Sequence, residues 1–109
     1  MAKLLVIRDY TVHMAGGARG FNEWRQSIFV RTSETGINCD IRFVDEPENF
    51  RNLEKVREDG NSLVFQDADA FDRTLHLLQS EKPLFIVLYG SPSDRVVIQT
   101  GPEPVGDDE

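Results

Sequence analysis

The fold is decided by residues 83–90, which read Pro-Leu-Phe-Ile-Val-Leu-Tyr-Gly. Five consecutive large apolar side chains precede the tyrosine, and no polar residue alternates with them. A short apolar run with β-branched and aromatic residues, opened by proline and closed by glycine, is typical of an interior strand. We therefore predict a central strand that is covered on both faces by helices.

The segments on either side of this run predict a helix before it and a strand after it. Asp67 can cap a helix whose apolar residues fall at i, i+3, i+7 and i+10. These residues are Ala68, Phe71, Leu75 and Leu78. After the run, residues 91–94 form a turn, and residues 95–100 are expected to return as an antiparallel strand.

The earlier part of the chain alternates between strand-like and helix-like segments. Strands are expected over residues 3–12, 37–44 and 62–66. Helices are expected from Asn22 to residues 34–36, with Gly36 as the final cap, and from the acidic stretch 45–49 to residues 59–60. The resulting order, β-α-β-α-β-α-β-β, predicts an α/β domain. Its sheet would be mostly parallel, with helices on both faces and an antiparallel edge strand.

The segment around residues 28–32 leaves an alternative open. Phe21, Trp24, Ile28 and Arg31 follow helical spacing, but the Ile-Phe-Val sequence at 28–30 is typical of a strand. If residues 28–32 are a strand, they would form a hairpin with the following segment. The domain would then be an α+β mixed sheet with helices on one side.

The length of 109 residues suits a single domain with one core, which we place at residues 1–101. Residues 102–109 are rich in proline, glycine and acidic residues, and they predict a flexible acidic tail. Cys39 is the only cysteine, so an internal disulfide and a two-cysteine zinc or redox site are both excluded. The sequence predicts no metal site and no cofactor.

The charge balance is acidic. The chain carries 12 Lys and Arg against 19 Asp and Glu, a formal charge of −7. Direct nucleic-acid binding is therefore not expected, because phosphate contacts dominate such affinity. No apolar stretch has the length needed to cross a bilayer, so we expect a cytoplasmic protein without a membrane partner.

A glycine-rich loop is the most suggestive candidate site. Residues 15–20 hold three glycines and follow His13. Glycines let the backbone approach a ligand, and an arginine can bind a phosphate or carboxylate through two hydrogen bonds. The candidate ligand-binding residues are His13, Gly16, Gly17, Arg19 and Gly20. Their spacing matches neither the dinucleotide-binding fingerprint nor the P-loop, and no catalytic residues can be assigned.

Trp24 and Arg25 are candidates for contact with a partner. Tryptophan and arginine are enriched at the energetic centres of protein interfaces. Trp24 at helical spacing also fits a core position between Phe21 and Ile28, and that interpretation is favoured.

These observations favour a non-catalytic protein over an enzyme. The leading hypothesis is an interaction or regulatory module, of a size typical of bacterial or phage accessory proteins. It would bind a protein partner or form a homo-oligomer. One alternative is a binder of a small anion or nucleotide that uses loop 15–20, and this binder could be a minimal enzyme. Another is an acidic decoy that blocks a nucleic-acid-binding protein.

Overall fold

The computed structural model describes residues 2–14 and 26–101. Six strands form one sheet, and two 3-10 helices and one α-helix lie between them. The strands are β1 (Ala2–Met14), β2 (Gln26–Thr32), β3 (Asn38–Val44), β4 (Asn61–Asp67), β5 (Leu84–Tyr89) and β6 (Arg95–Thr100). The 3-10 helices span Pro47–Leu53 and Ala68–Ala70, and the helix α1 spans Phe71–Ser80.

The strand order is β4-β3-β2-β1-β5-β6, and only β3 and β4 pair in parallel. The expected α/β domain, with a mostly parallel sheet and helices on both faces, is therefore wrong. The chain forms a mixed, mostly antiparallel half-barrel with one α-helix in its described part. β6 is an antiparallel edge strand, as expected.

Two segments that were expected to be helical explain the difference. Residues 28–32 belong to β2, in which Ile28 and Val30 are completely buried and both neighbouring strands are paired. Their β-branched side chains fit a pleated surface better than a helix. The helix expected between residues 45–49 and 59–60 is instead a short 3-10 helix, Pro47–Leu53, in which no residue is buried. Val56 lies beyond this helix and is only 2% exposed, so the segment packs on the core without helical structure.

The hairpin between β2 and β3 turns at residues 33–37. Gly36 has φ +91°, a conformation that side chains with a Cβ rarely adopt. Thr32 closes the turn through its hydroxyl, which donates to the carbonyl oxygen of Ile37 at 2.7 Å. Gly36 therefore ends a strand pair rather than a helix.

β1 is long enough to pair with two strands, one along each of its two parts, and a bulge separates these parts. Its first part pairs with β5 as far as Val6, and its second part pairs with β2 from Ile7 onward. The register shifts between Ile7 and Asp9. The core-facing positions accordingly change from odd numbers, such as Leu5, to even numbers, such as Tyr10.

The core lies on the inner face of the sheet, under α1. Phe71 of α1 meets Phe43 of β3 edge to face, with ring centroids 5.2 Å apart and an interplanar angle of 87°. Such a geometry suits the charge distribution of aromatic rings. Leu78 lies two turns after Phe71 on the same side of α1, and it belongs to the same buried cluster as Ile86 and Leu88 of β5.

β5 is an interior strand, as predicted, but helical cover on both of its faces is not observed. Leu84, Ile86 and Leu88 face the core. On the other face, Val87 lies between Leu4 of β1 and Val97 of β6 in the sheet. Val87 is only 7% exposed, whereas Leu4 is 56% exposed. Within residues 2–14 and 26–101, lateral neighbours thus bury this side of the strand, and no second layer of helices covers it.

Candidate functional site

Most of the residues predicted for the glycine-rich site and the partner contact lie outside the described residues. These are Gly16, Gly17, Arg19, Gly20, Trp24 and Arg25. His13 is described, and it lies exposed near the end of β1, opposite Ser27 of β2. No hydrogen bond joins the two side chains, so nothing in the described chain orients His13 for proton transfer.

Within residues 2–14 and 26–101, no three metal-ligating side chains lie together. In the same ranges, no helix combines the length and the apolar character that a bilayer crossing requires. The described residues offer four kinds of feature for further consideration: a closed sheet edge, an open sheet edge, the outer face of the sheet, and surface clefts.

The β4 edge of the sheet is closed by the segment that follows the first 3-10 helix. Lys55 pairs with Leu63, and each backbone N–H donates to the other residue's carbonyl oxygen at 2.9 Å. The N–H of Phe65 donates to Oε2 of Glu54 at 2.9 Å, and its carbonyl oxygen accepts from Nη1 of Arg51 at 3.0 Å. The outward backbone groups of Leu63 and Phe65 therefore all have partners.

Arg51 holds this arrangement together electrostatically. Its Nη1 also donates to Oε2 of Glu54 at 2.7 Å, and its Nη2 donates to Oε2 of Glu48 at 3.3 Å. Partial burial works against the charged guanidinium. The hydrogen bonds and charges of Glu48 and Glu54 outweigh this effect, and they raise the pKa of Arg51. Arg51 therefore stays charged at any pH at which the protein folds.

The β6 edge is open. In the described part of the chain, β6 forms hydrogen bonds with β5 and with no other segment. Its outward N–H and carbonyl groups are available to another strand. Val96, Val97 and Ile98 occupy its centre, and its only charged residue is Arg95 at one end.

The outer face beside this edge carries an apolar patch. We call the side chains of Leu4, Val6, Phe85, Val87 and Val97 the outer patch. The register places Leu4, Val87 and Val97 in one row across β1, β5 and β6. Leu4 is 56% and Val6 39% exposed, high values for large apolar side chains in such a group.

Tyr89 and Arg95 lie opposite each other at one end of the outer patch. The guanidinium carbon of Arg95 lies 4.8 Å from the ring centroid of Tyr89, within the range of a cation–π contact. The rows of the outer patch contain no acidic residue. This neutral to basic surface contrasts with the net charge of −7 of the whole chain.

A surface cleft of about 530 Å³ opens where β1 changes partner from β5 to β2. Its lining combines apolar and charged residues from β1, from the end of α1 and from the loop before β5. These residues are Ile7, Arg8, Asp9, Tyr10, Leu78, Glu81, Lys82, Pro83 and Leu84. A volume of this size lies within the range of small-molecule sites.

Asp9 links the wall of this cleft to β2. Arg31 donates to Asp9 through Nε and to Oγ1 of Thr11 through Nη2 at 2.6 Å. Arg8 donates to the other carboxylate oxygen of Asp9 at 3.2 Å. The hydrogen bond from Arg31, together with the charges of Arg31 and Arg8, lowers the pKa of Asp9.

A second cleft, about 420 Å³, lies between the two sheet edges. Val64, Phe65 and Gln66 of β4 line one side, and Arg95 and Val96 of β6 line the other. The two edge strands thus flank the gap of the half-barrel. Arg51 and Glu54 also line this cleft, at the position where they close the β4 edge.

The clefts and the open edge are not predictable from local sequence, because they result from strand pairing. Two signals were nevertheless present. The adjacent charges Arg8 and Asp9 interrupt an apolar strand, which is a usual place for a bulge. Residues 96–98 are apolar on consecutive positions, so one of them had to face away from the core.

Comparison with protein-family models, with curated proteins and with solved structures finds no match to this chain.

Proposed function

We propose that the protein is an interaction module that self-associates through β6, with the outer patch packed beside the new contact. The observation that carries this proposal is the difference between the two edges of the sheet. The outward groups of Leu63 and Phe65 on β4 are all bonded, whereas the outward groups of β6 have no partner in the described chain. A sheet that blocks one edge and leaves the other open can add a strand at one side only.

A second copy is the occupant that this edge fits best. Two β6 strands can pair antiparallel around a two-fold axis at Ile98, which places Val96 opposite Thr100 of the other copy. In this register, side chains on the inner face of one copy lie beside inner-face side chains of the other copy. The two sheets can therefore join into one continuous sheet. This register leaves Arg95 outside the pairing of the two β6 strands. A two-fold contact of this kind is the commonest form of homo-oligomer.

The charges near β6 also favour a second copy of this chain as the partner. The outer patch lacks acidic residues, so a basic partner would find no carboxylate to pair with. Arg95, the cation at the end of this patch, is engaged with Tyr89. Contact between two copies therefore brings few like charges together, although the whole chain carries −7.

The other two functions expected from the sequence stay predictions. The anion or nucleotide site of loop 15–20 involves residues outside the described ranges. A thermal-shift screen of nucleotides and phosphates tests it, because a ligand that binds the folded state raises Tm. The acidic-decoy function predicts binding to a basic partner that weakens steeply as salt is added.

The self-association is tested by sedimentation velocity over about 10 µM to 1 mM protein, a range that covers weak and moderate dimers. The wild-type mass is expected to rise from 12.4 kDa toward twice that value. Val97→Lys places a charge on the outer side of β6 and should remain monomeric. Gln79→Lys adds the same charge on the exposed side of α1 and should associate like the wild type.

The mode of pairing is tested by mixing isotope-labelled and unlabelled protein. Intermolecular NMR contacts are expected between β6 strands in antiparallel order around Ile98. A wild type that stays monomeric over the whole concentration range would overturn the proposal. Equal association of the Val97→Lys and wild-type proteins would overturn it as well, provided that circular dichroism shows both to be folded.

A further inference from the structure

The cleft beside the β1 bulge offers a site that is separate from β6. It exists because β1 leaves β5 after Val6 and joins β2, so the two groups of strands diverge at Arg8. The end of α1 and the loop leading to β5 complete its walls through Leu78 and Lys82. The cleft therefore forms because β1 changes its pairing partner within the sheet.

The floor of the cleft is apolar and well fixed. Leu78 is 4% and Leu84 5% exposed, and both belong to the main core cluster. Ile7 and Tyr10 are partly buried against the same cluster. Such a floor can receive an apolar or aromatic group at a site whose shape is already formed.

The polar groups of the cleft include more free donors than free acceptors. Asp9 is occupied, since each of its carboxylate oxygens accepts from an arginine. Arg8 uses only its Nε in this contact, so both terminal nitrogens remain for a ligand. The hydroxyl of Tyr10 and the ammonium of Lys82 form no hydrogen bond within the described residues. The carboxylate of Glu81 is the one free acidic group in the lining.

We propose that this cleft binds a small monocarboxylate with an apolar or aromatic body. The body lies on Leu78 and Leu84, and the carboxylate meets the terminal nitrogens of Arg8 with Lys82 nearby. A guanidinium and a carboxylate form two parallel hydrogen bonds, and this geometry is the strongest that the lining offers. The lining holds two carboxylates and two cations, but Asp9 is already paired with Arg31 from outside the cleft. Glu81 is then the one unpaired carboxylate that opposes an anion, against the positive charges of Arg8 and Lys82.

The test uses three compounds with the same phenylpropyl body: 3-phenylpropionate, 3-phenylpropanol and 3-phenylpropylamine. Each is titrated into isotope-labelled wild-type protein, and backbone amide shifts are followed by NMR. The carboxylate is expected to bind saturably and roughly tenfold more tightly than the alcohol, the difference that one charge-assisted contact supplies. The shifts should centre on residues 7–10, on Leu78 and on residues 81–84.

Variants separate the site from general charge effects. Arg8→Gln and Lys82→Gln should each weaken binding of 3-phenylpropionate several-fold. Arg73→Gln removes the same charge from an exposed position of α1 outside the lining and should leave the affinity unchanged. Equal affinity for the three compounds, tighter binding of the amine, or shifts that centre elsewhere would each overturn the proposal. A monomeric Val97→Lys protein should bind the carboxylate as the wild type does, so the two proposals fail independently.

Discussion

The backbone N–H of Val56 donates a hydrogen bond to Oδ1 of Asp94 at 3.1 Å. Val56 is 2% exposed and lies in the segment beside the β4 edge, whereas Asp94 ends the turn before β6. A second bond, from the N–H of Gly90 to Oε2 of Glu58 at 3.3 Å, joins the same two segments. Together these contacts join the segment beside β4 to the turn before β6 at one end of the half-barrel.

Asp94 is expected to be sensitive to substitution for two reasons. Its φ is +46°, a left-handed conformation that asparagine and aspartate tolerate better than alanine. Its side chain is also the acceptor for the buried N–H of Val56. Asp94→Ala should lower the free energy of unfolding by about 1–3 kcal/mol, because it leaves that N–H without a partner. Urea denaturation followed by fluorescence measures the change.

Asp94→Asn is the matched control, since it keeps both an oxygen acceptor and the tolerance of the left-handed region. Its loss of stability should stay below about 0.5 kcal/mol. Equal losses for the alanine and asparagine variants would show that the charge of Asp94, and not its geometry, is what stabilises the turn.

The single thiol should be unreactive in the folded protein. Cys39 is fully buried in β3, and burial, with the nearby charge of Asp40 as a smaller cause, raises its pKa. The reactive thiolate is therefore scarce, and reagents reach the sulfur only when the structure opens. At pH 8 a disulfide reagent should label the folded protein at least about a thousandfold more slowly than the urea-unfolded protein. Fast labelling without urea would contradict the burial of β3.

The sequence predicts individual elements better than their arrangement. The alternation at 37–44 and the spacing of the apolar residues in α1 identify a strand and a helix, and the unbroken apolar run between Pro83 and Gly90 identifies a second strand. The segment before Arg31 was ambiguous, because Ile28 fits a helical spacing whereas the Ile-Phe-Val sequence at 28–30 is typical of a strand. Ile28 and Val30 are buried against residues that are distant in sequence, and this burial favours the strand β2 over a helix.

Neither the direction of pairing nor the site could be read from the sequence. A short apolar run such as 84–89 looks the same whether helices cover both of its faces or lateral strands bury one of them. The partners of Glu54 and Asp94 lie 11 and 38 residues away, so no local pattern shows that β4 is blocked. The cleft depends on a bulge, and the charges of Arg8 and Asp9 indicate at most its position.

The contact between Asp9 and Arg31 should contribute to stability in a pH-dependent way. The pKa of Asp9 is lowered in the folded state, chiefly by the hydrogen bond from Arg31. The unfolded chain therefore binds the proton more readily, and the contribution is present above a pH of about 4. It is lost as the pH falls through the lower, folded pKa. The urea midpoint of the wild type should exceed that of Asp9→Asn at pH 7, and the two should converge as the pH falls through the lowered pKa of Asp9. A constant difference at every pH would contradict this explanation.

Glu54 should protect the β4 edge from association as well as stabilise the fold. Its side chain is 11% exposed and accepts from both Phe65 and Arg51, so Glu54→Ala leaves a strand N–H unpaired and should cost about 1–3 kcal/mol. Glu48→Ala removes an 83% exposed partner of the same arginine and should cost less than about 0.5 kcal/mol.

The effect of Glu54 on association is best measured in the Val97→Lys background, in which the β6 route is blocked. A monomeric Val97→Lys protein should begin to associate with rising concentration once Glu54→Ala is added, because the outward N–H of Phe65 is then free to pair. Adding Glu48→Ala instead should leave the protein monomeric. If the Glu54→Ala combination loses stability but sediments as a monomer, the backbone pairing of Lys55 with Leu63 is sufficient to block β4. The side chain would then have a purely stabilising role.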